Sequence, residues 1–136
     1  MKSINSYPDR VVQALKTGGY LKEFTITRAF PKTAKPSPLT HSIITVGIDS
    51  FELSTAAIGA NTKCGDLNIF VDIYIPVKLG VKRINTALHN VYNNACTYLE
   101  PCKIKVGRTH FDSSTQAYKT EVIITFNNEF QIGGEV

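Results

Sequence analysis

Residues 66–99 constrain the fold more than any other segment, because a strand pattern passes directly into a helix pattern. In the first part every second residue is large and apolar, which is typical of a strand with one buried face: Leu67, Ile69, Val71, Ile73 and Ile75. After Pro76 and Gly80 the apolar spacing changes to three and four residues, which predicts a helix with one apolar stripe: Val81, Ile84, Leu88, Val91, Ala95 and Leu99. We therefore expect the helix to pack on the apolar face of the strand.

The length and composition predict one globular domain over residues 1–136. The chain is 43% hydrophobic and 19% charged, as in ordinary folded proteins. Its net charge of +4 is too small to indicate nucleic-acid binding by itself. The N-terminal segment lacks the continuous apolar core of a signal peptide, and no stretch approaches about eighteen apolar residues. We expect a soluble protein made in the cytoplasm, without membrane contact.

The remaining patterns predict a mixed fold. A short helix is expected over residues 8–18, since Pro8 suits a first turn and Gly18 with Gly19 suits an end. Alternation and turn residues predict further strands at 20–30, at 43–48 and 51–58 joined by a tight turn at Asp49 and Ser50, and at 102–106 and 122–126 in a closing hairpin. A loop is expected over 59–65, and Lys103 and Lys105 are expected to face Glu121 across the closing hairpin.

This order of elements predicts the α+β class. The architecture expected is a mostly antiparallel sheet with one long helix packed on one face, together with the short N-terminal helix. A doubly wound parallel sheet would need several more crossover helices than the chain supplies.

Catalytic and metal-binding patterns are not found in the sequence. The cysteines Cys64, Cys96 and Cys102 fit no zinc or redox spacing, and we expect Cys96 and Cys102 to be buried. The histidines His41, His89 and His110 are scattered along the chain and form no ligand pair. We therefore assign no catalytic residue, no metal site and no cofactor.

Two segments suggest contact with another large molecule. Residues 31–38 contain three prolines and two lysines, so they form no regular element and are long for a simple connection. Residues 127–136 continue past the last clear strand with Phe130 and Ile132 still alternating, as though a sheet edge or a partner receives them. An extended loop at 31–39 and a C-terminal tail at 127–136 are thus expected to complete the domain.

The residue patterns at 38–48 (PLTHSIITVGI), 57–59 (AIG) and 71–76 (VDIYIP), followed by Gly80, resemble small tail proteins of phages and of phage-tail-like particles of Gram-positive bacteria. The order of helix, sheet, long helix and last hairpin is similar to that of tail terminator and tail completion proteins. This resemblance implies a non-enzymatic structural protein. It would form a ring, commonly a hexamer, that caps the finished tail tube and offers a surface to the head-side connector.

The resemblance also implies a set of partners. They are further copies of the chain, the tail tube, the sheath protein of a contractile tail and the head-side connector, with DNA passing through the ring without specific binding. Assembly in the bacterial cytoplasm would lead to a virion or a phage-tail-like particle. We expect the loops and the tail to supply the subunit interface, through Lys32, Lys35, Pro36, Pro38, Asn61, Lys63, Phe130 and Ile132.

Three alternatives stay open at this point. A head–tail connector or stopper would differ mainly in its partners and in ring number. A small enzyme would need a site assembled in space, for example Cys64 with one of the histidines. A nucleic-acid binder would use basic side chains such as Lys32, Lys35, Lys103, Lys105 and Arg108.

Overall fold

The computed structural model describes residues 2–28, 40–55 and 62–131. The helices are α1 (Tyr7–Lys16) and α2 (Lys82–Tyr98). The strands are β1 (Lys2–Ser3), β2 (Thr25–Arg28), β3 (Ile43–Thr55), β4 (Thr62–Pro76), β5 (Lys103–Val106), β6 (His110–Asp112) and β7 (Ala117–Gln131). The expected α+β class is confirmed.

The strands lie in one sheet in the order β1-β7-β4-β3-β2, and β5 and β6 also pair with β7. Strand β4 is central and pairs antiparallel with β3 on one side and with β7 along its whole length on the other. The pairs β5–β7 and β6–β7 are antiparallel as well, whereas β1–β7 and β2–β3 are parallel. The sheet is thus mostly antiparallel.

The predicted strand–helix unit is confirmed. The five alternating residues of β4 from Leu67 to Ile75 are fully buried in one core cluster with Ile84, Val91 and Ala95 of α2. Leu88 is half-buried against this cluster. Val81 is 48% exposed, because it precedes the first turn of the helix instead of lying within the stripe.

Helix α1 begins and ends near the predicted positions. It carries Pro8 in its first turn and is followed by a short turn in which Gly18 has φ +85°, a conformation that favours glycine. The buried amide of Asn94 in α2 donates to the carbonyl oxygens of Ala14, Leu15 and Thr17 at 3.1–3.2 Å. One side chain of α2 therefore satisfies the carbonyl end of α1 and joins the two helices.

The predicted turn at Asp49 and Ser50 is wrong. Strand β3 runs continuously from Ile43 to Thr55, and its register with β4 shifts between Ile48 and Ser50. The polar pair is therefore a β-bulge, which adds one residue to the strand without reversing it. The hairpin partner of β3 is β4, and residues 62–65 of the predicted loop are its first residues. Residues 56–61 lie outside the described part.

The closing hairpin is confirmed, with two corrections. Ile104 aligns with Ile124 and Val106 with Val122, as the alternation predicts. Lys105, however, aligns with Ile123, and the backbone N–H of Gly107 donates to the carbonyl of Glu121, so the lysines do not lie directly opposite Glu121. Residues 127–131, expected to belong to a tail, are the last part of β7 and pair with β4.

The predicted strand at 20–30 is shorter in the described residues. Residues 21–24 form a turn closed by a hydrogen bond from the Phe24 N–H to the carbonyl of Leu21, and β2 begins at Thr25. Tyr20 is 68% exposed before this turn. Residues 29–39, which include the proline-rich segment, are outside the described ranges.

Candidate assembly surfaces

The face of the sheet turned away from the helices carries rows of polar side chains, which run across the strands. In one row Thr125 Oγ1 donates to Asn68 Oδ1 at 2.7 Å, and Asn68 Nδ2 donates to Ser50 Oγ at 3.0 Å. This row connects β7, β4 and β3, and Lys103 of β5 aligns with Thr125 at its end. We call this side the outer face.

One margin of the sheet is basic. Lys103 and Lys105 are exposed on β5, Arg108 follows just after it, and Val106 is 50% exposed. Both lysines align with outer-face residues of β7, so all four strands from β5 to β3 present this face together. Among the described strands β5 pairs only with β7, which leaves its other side open. We call β5 with Arg108 the basic edge.

The opposite margin is acidic. Strand β2 pairs with residues 43–46 of β3, and no described strand pairs with β3 on that side from Gly47 to Thr55. Asp49 and Glu52 are exposed there, and Glu52 aligns directly with Asp66 of β4. We call residues 47–55 of β3, together with Asp66, the acidic edge.

The two carboxylates Glu52 and Asp66 form a like-charge pair across neighbouring strands. Such pairs are destabilising when they lie directly opposite each other. Asn127 Nδ2 donates to Asp66 Oδ1 at 2.6 Å and provides Asp66 with a hydrogen-bond partner. The arrangement favours binding of a positively charged group at this edge.

A largely buried charged cluster lies on the two central strands β4 and β7, at the end of the outer face away from the polar row. Lys119 Nζ is 3.7 Å from Asp72 Oδ2 and lies 5.6 Å from the centre of the Tyr74 ring. Burial raises the pKa of Tyr74, and it would lower the pKa of Lys119. The carboxylates of Asp72 and Asp112, together with a hydrogen bond to the Tyr74 hydroxyl, outweigh that effect, so the pKa of Lys119 is also raised. Tyr74 is therefore kept neutral and Lys119 charged, which suits a structural role.

A third surface lies on the helices. Tyr92 and Tyr98 of α2 are 53% and 49% exposed, and Tyr20 lies near Tyr98 beside a shared groove. A second groove of about 380 Å³ lies between α1 and the end of α2, lined by Arg10, Ala14, Leu99 and further residues. Exposed tyrosines are frequent at protein interfaces, so this surface is a candidate contact for a partner protein.

The predicted interface residues have different outcomes. Phe130 is fully buried, with its ring 5.3 Å from that of Tyr7, so it belongs to the core and the expectation that it contacts another subunit is wrong. The backbone of Lys63 lies in β4, opposite Thr55. The others lie outside the described residues and stay predictions: Lys32, Lys35, Pro36, Pro38, Asn61 and Ile132.

The cysteines are placed differently from the prediction. Cys96 and Cys102 are exposed, because Cys96 is turned away from the stripe that contains Ala95 and Cys102 precedes an edge strand. Cys64 is half-buried in β4 and aligns with Glu129 of β7, whereas His110 aligns with Lys119. Ten strand positions separate these sites, roughly 33 Å, so Cys64 and His110 do not form a reactive pair.

Two further findings concern the described ranges only. No group of three or more His, Cys, Asp or Glu side chains there is placed to hold a metal ion. Neither described helix is long and apolar enough to cross a membrane.

Comparison with protein-family models gives no match, and comparison with curated proteins gives no match either. The sequence analysis does not predict that a basic edge and an acidic edge lie at opposite margins of one sheet. The alternating Lys103 and Lys105, and the segment from Ser50 to Glu52, are nevertheless visible in the sequence.

Proposed function

We propose that this chain is a structural protein that forms a ring at the head-proximal end of a phage or phage-like tail tube. The observation that carries the proposal is the pair of unlike edges on one sheet, basic along β5 and acidic along β3. A closed ring of identical subunits needs two different surfaces on each subunit, because neighbours meet through opposite sides. The resemblance of residues 38–48 and 71–76 to small tail proteins supports the same role.

In this role the ring caps the tail tube and offers its other side to the head-side connector. The exposed tyrosines of α2 are candidates for one of these contacts, and the sheath protein of a contractile tail is a further candidate partner. DNA passes through the ring without specific binding. A head–tail connector or stopper would form a ring from the same surfaces and differ in the proteins that it contacts.

The proposal is tested by measuring the mass of the purified full chain over a wide concentration range. A hexamer of the 15.0 kDa chain has a mass of about 90 kDa. We expect sedimentation velocity to show a species of this size that increases with concentration, and negative-stain images of the same sample to show rings. A 15.0 kDa monomer at every concentration, with no annular particles, would contradict the proposal.

A further inference from the structure

We infer that neighbouring copies join edge to edge, with residues 103–105 of β5 in one copy pairing with residues 47–50 of β3 in the next copy. This inference rests on the proposed ring and specifies which parts of the chain meet. The occupant of each edge is thus a second copy of this chain, and the sheet continues from one subunit to the next.

The directions of the strands support this pairing. Strand β3 is antiparallel to β4, β4 to β7 and β7 to β5, so β3 and β5 run in opposite directions within one copy. A rotation about an axis parallel to the strands preserves their directions. It therefore places β5 of the next copy antiparallel to β3, and the alternation continues across the subunit boundary.

The two edges also lie at the same height along the strands. Lys103 aligns with Thr125, Thr125 with Asn68, and Asn68 with Ser50, so Lys103 and Ser50 lie in one row at opposite margins. A rotation without displacement along its axis brings Lys103 of the next copy beside Ser50. Asp49 and Glu52 are then its nearest acidic neighbours along β3.

Charge complementarity selects a second copy over other occupants. Lysines on an open edge strand commonly discourage unwanted pairing, and a β-bulge in the opposite edge has the same effect. In this chain, however, the opposite edge presents Glu52 aligned with Asp66, and a lysine from another copy would relieve their repulsion. Contact between two basic edges or two acidic edges is therefore disfavoured, and contact between a basic and an acidic edge is favoured. This promotes head-to-tail rings over dimers formed through identical edges.

The experiment uses two charge reversals in the full chain. The variant Lys103→Glu with Lys105→Glu has two acidic edges, and the variant Asp49→Lys with Glu52→Lys has two basic edges. We expect each variant alone to need roughly tenfold or more higher concentration than wild type to form rings, because like charges meet at every boundary. An equimolar mixture should form rings again, with the two variants alternating in equal amounts by native mass spectrometry.

A matched control separates this effect from net charge. Lys22→Glu with Lys82→Glu changes two exposed lysines outside both edges, one before β2 and one at the start of α2, and lowers the net charge by the same amount as the basic-edge variant. It should assemble like wild type. Urea unfolding of all variants checks that their stabilities agree.

The outcomes distinguish the inference from the proposed function. Wild type that stays monomeric contradicts the ring, and with it the inference. Wild-type rings that persist unchanged in both reversals overturn the edge pairing alone. Loss of rings in each reversal without recovery in the mixture overturns it too, since the edges then do not contact one another.

Discussion

The helix-covered face of the sheet and its two margins are built from opposite kinds of residue. On the covered face Leu67, Ile73 and Ile124 lie in apolar rows that are fully buried within one chain. At the margins Lys105 and Glu52 are exposed, and the strand edges beside them are open in the described part of the chain. The difference indicates that the covered face makes the fold, while the proposed ring depends on the margins.

The largest expected effect comes from the covered face. Ile73→Ala should lower the free energy of unfolding by about 2–5 kcal/mol, because it removes a fully buried side chain and leaves a cavity. Phe51→Ala, in the β3 margin, should lower it by only about 1 kcal/mol, since Phe51 is 52% exposed. Urea unfolding measures both. Equal losses would remove the distinction between the two regions.

The second effect concerns the joint between the helices. Asn94→Ala leaves the carbonyl oxygens of Ala14, Leu15 and Thr17 without this donor and should cost about 1–3 kcal/mol. The control is Asn93→Ala, which removes only an exposed hydrogen bond to His89 and should cost less than about 0.5 kcal/mol. If both variants unfold at the same urea concentration, the amide of Asn94 does not hold α1 in place.

The third effect is a pH dependence from the buried charged cluster. The pKa values of Tyr74 and Lys119 are raised above their ordinary 10.0 and 10.5. The folded chain therefore holds these protons more tightly than the unfolded chain does, so their contribution is fully present below about pH 10 and is lost at higher pH. Urea unfolding between pH 8 and 11 should show a steeper loss in wild type than in Lys119→Met with Tyr74→Phe. Parallel curves would contradict the stated shifts.

The smallest effect is expected from the exposed ion pair between Arg83 of α2 and Glu23. Its atoms are 3.0 Å apart, but both side chains are about half exposed. Arg83→Ala should change the free energy of unfolding by less than about 1 kcal/mol, and the change should shrink further in high salt. A large loss that salt does not reduce would mean that Arg83 contributes through packing.

The sequence predicts the covered part of this fold well. Periods of two and 3.6 residues locate the buried face of β4 and most of the stripe of α2, because burial on one face requires those spacings. Asp49 and Ser50 predict a turn where the structure has a bulge, since the same polar residues suit both and only the pairing partner distinguishes them. The alternation at Phe130 predicts that its face is covered, but it does not show whether the same chain or another copy covers it.

The candidate surfaces depend on long-range register, which no local pattern contains. Lys103 and Ser50 lie in one row only because β7 and β4 align between them. The carbonyl contacts of Asn94 depend in the same way on how α2 crosses α1, and an isolated polar residue in a helix gives no sign of them.

Amide hydrogen exchange of the full chain, in dilute and in concentrated solution, shows directly whether the two edges pair with each other. We expect the outward amides of residues 47–50 and of residues 103–105 to exchange rapidly in dilute solution and to become protected at the concentration where rings form. The amides of β4 should be protected under both conditions, since β4 is paired on both sides. Rings that form without any added protection at these two edges would show that the edges do not join the subunits.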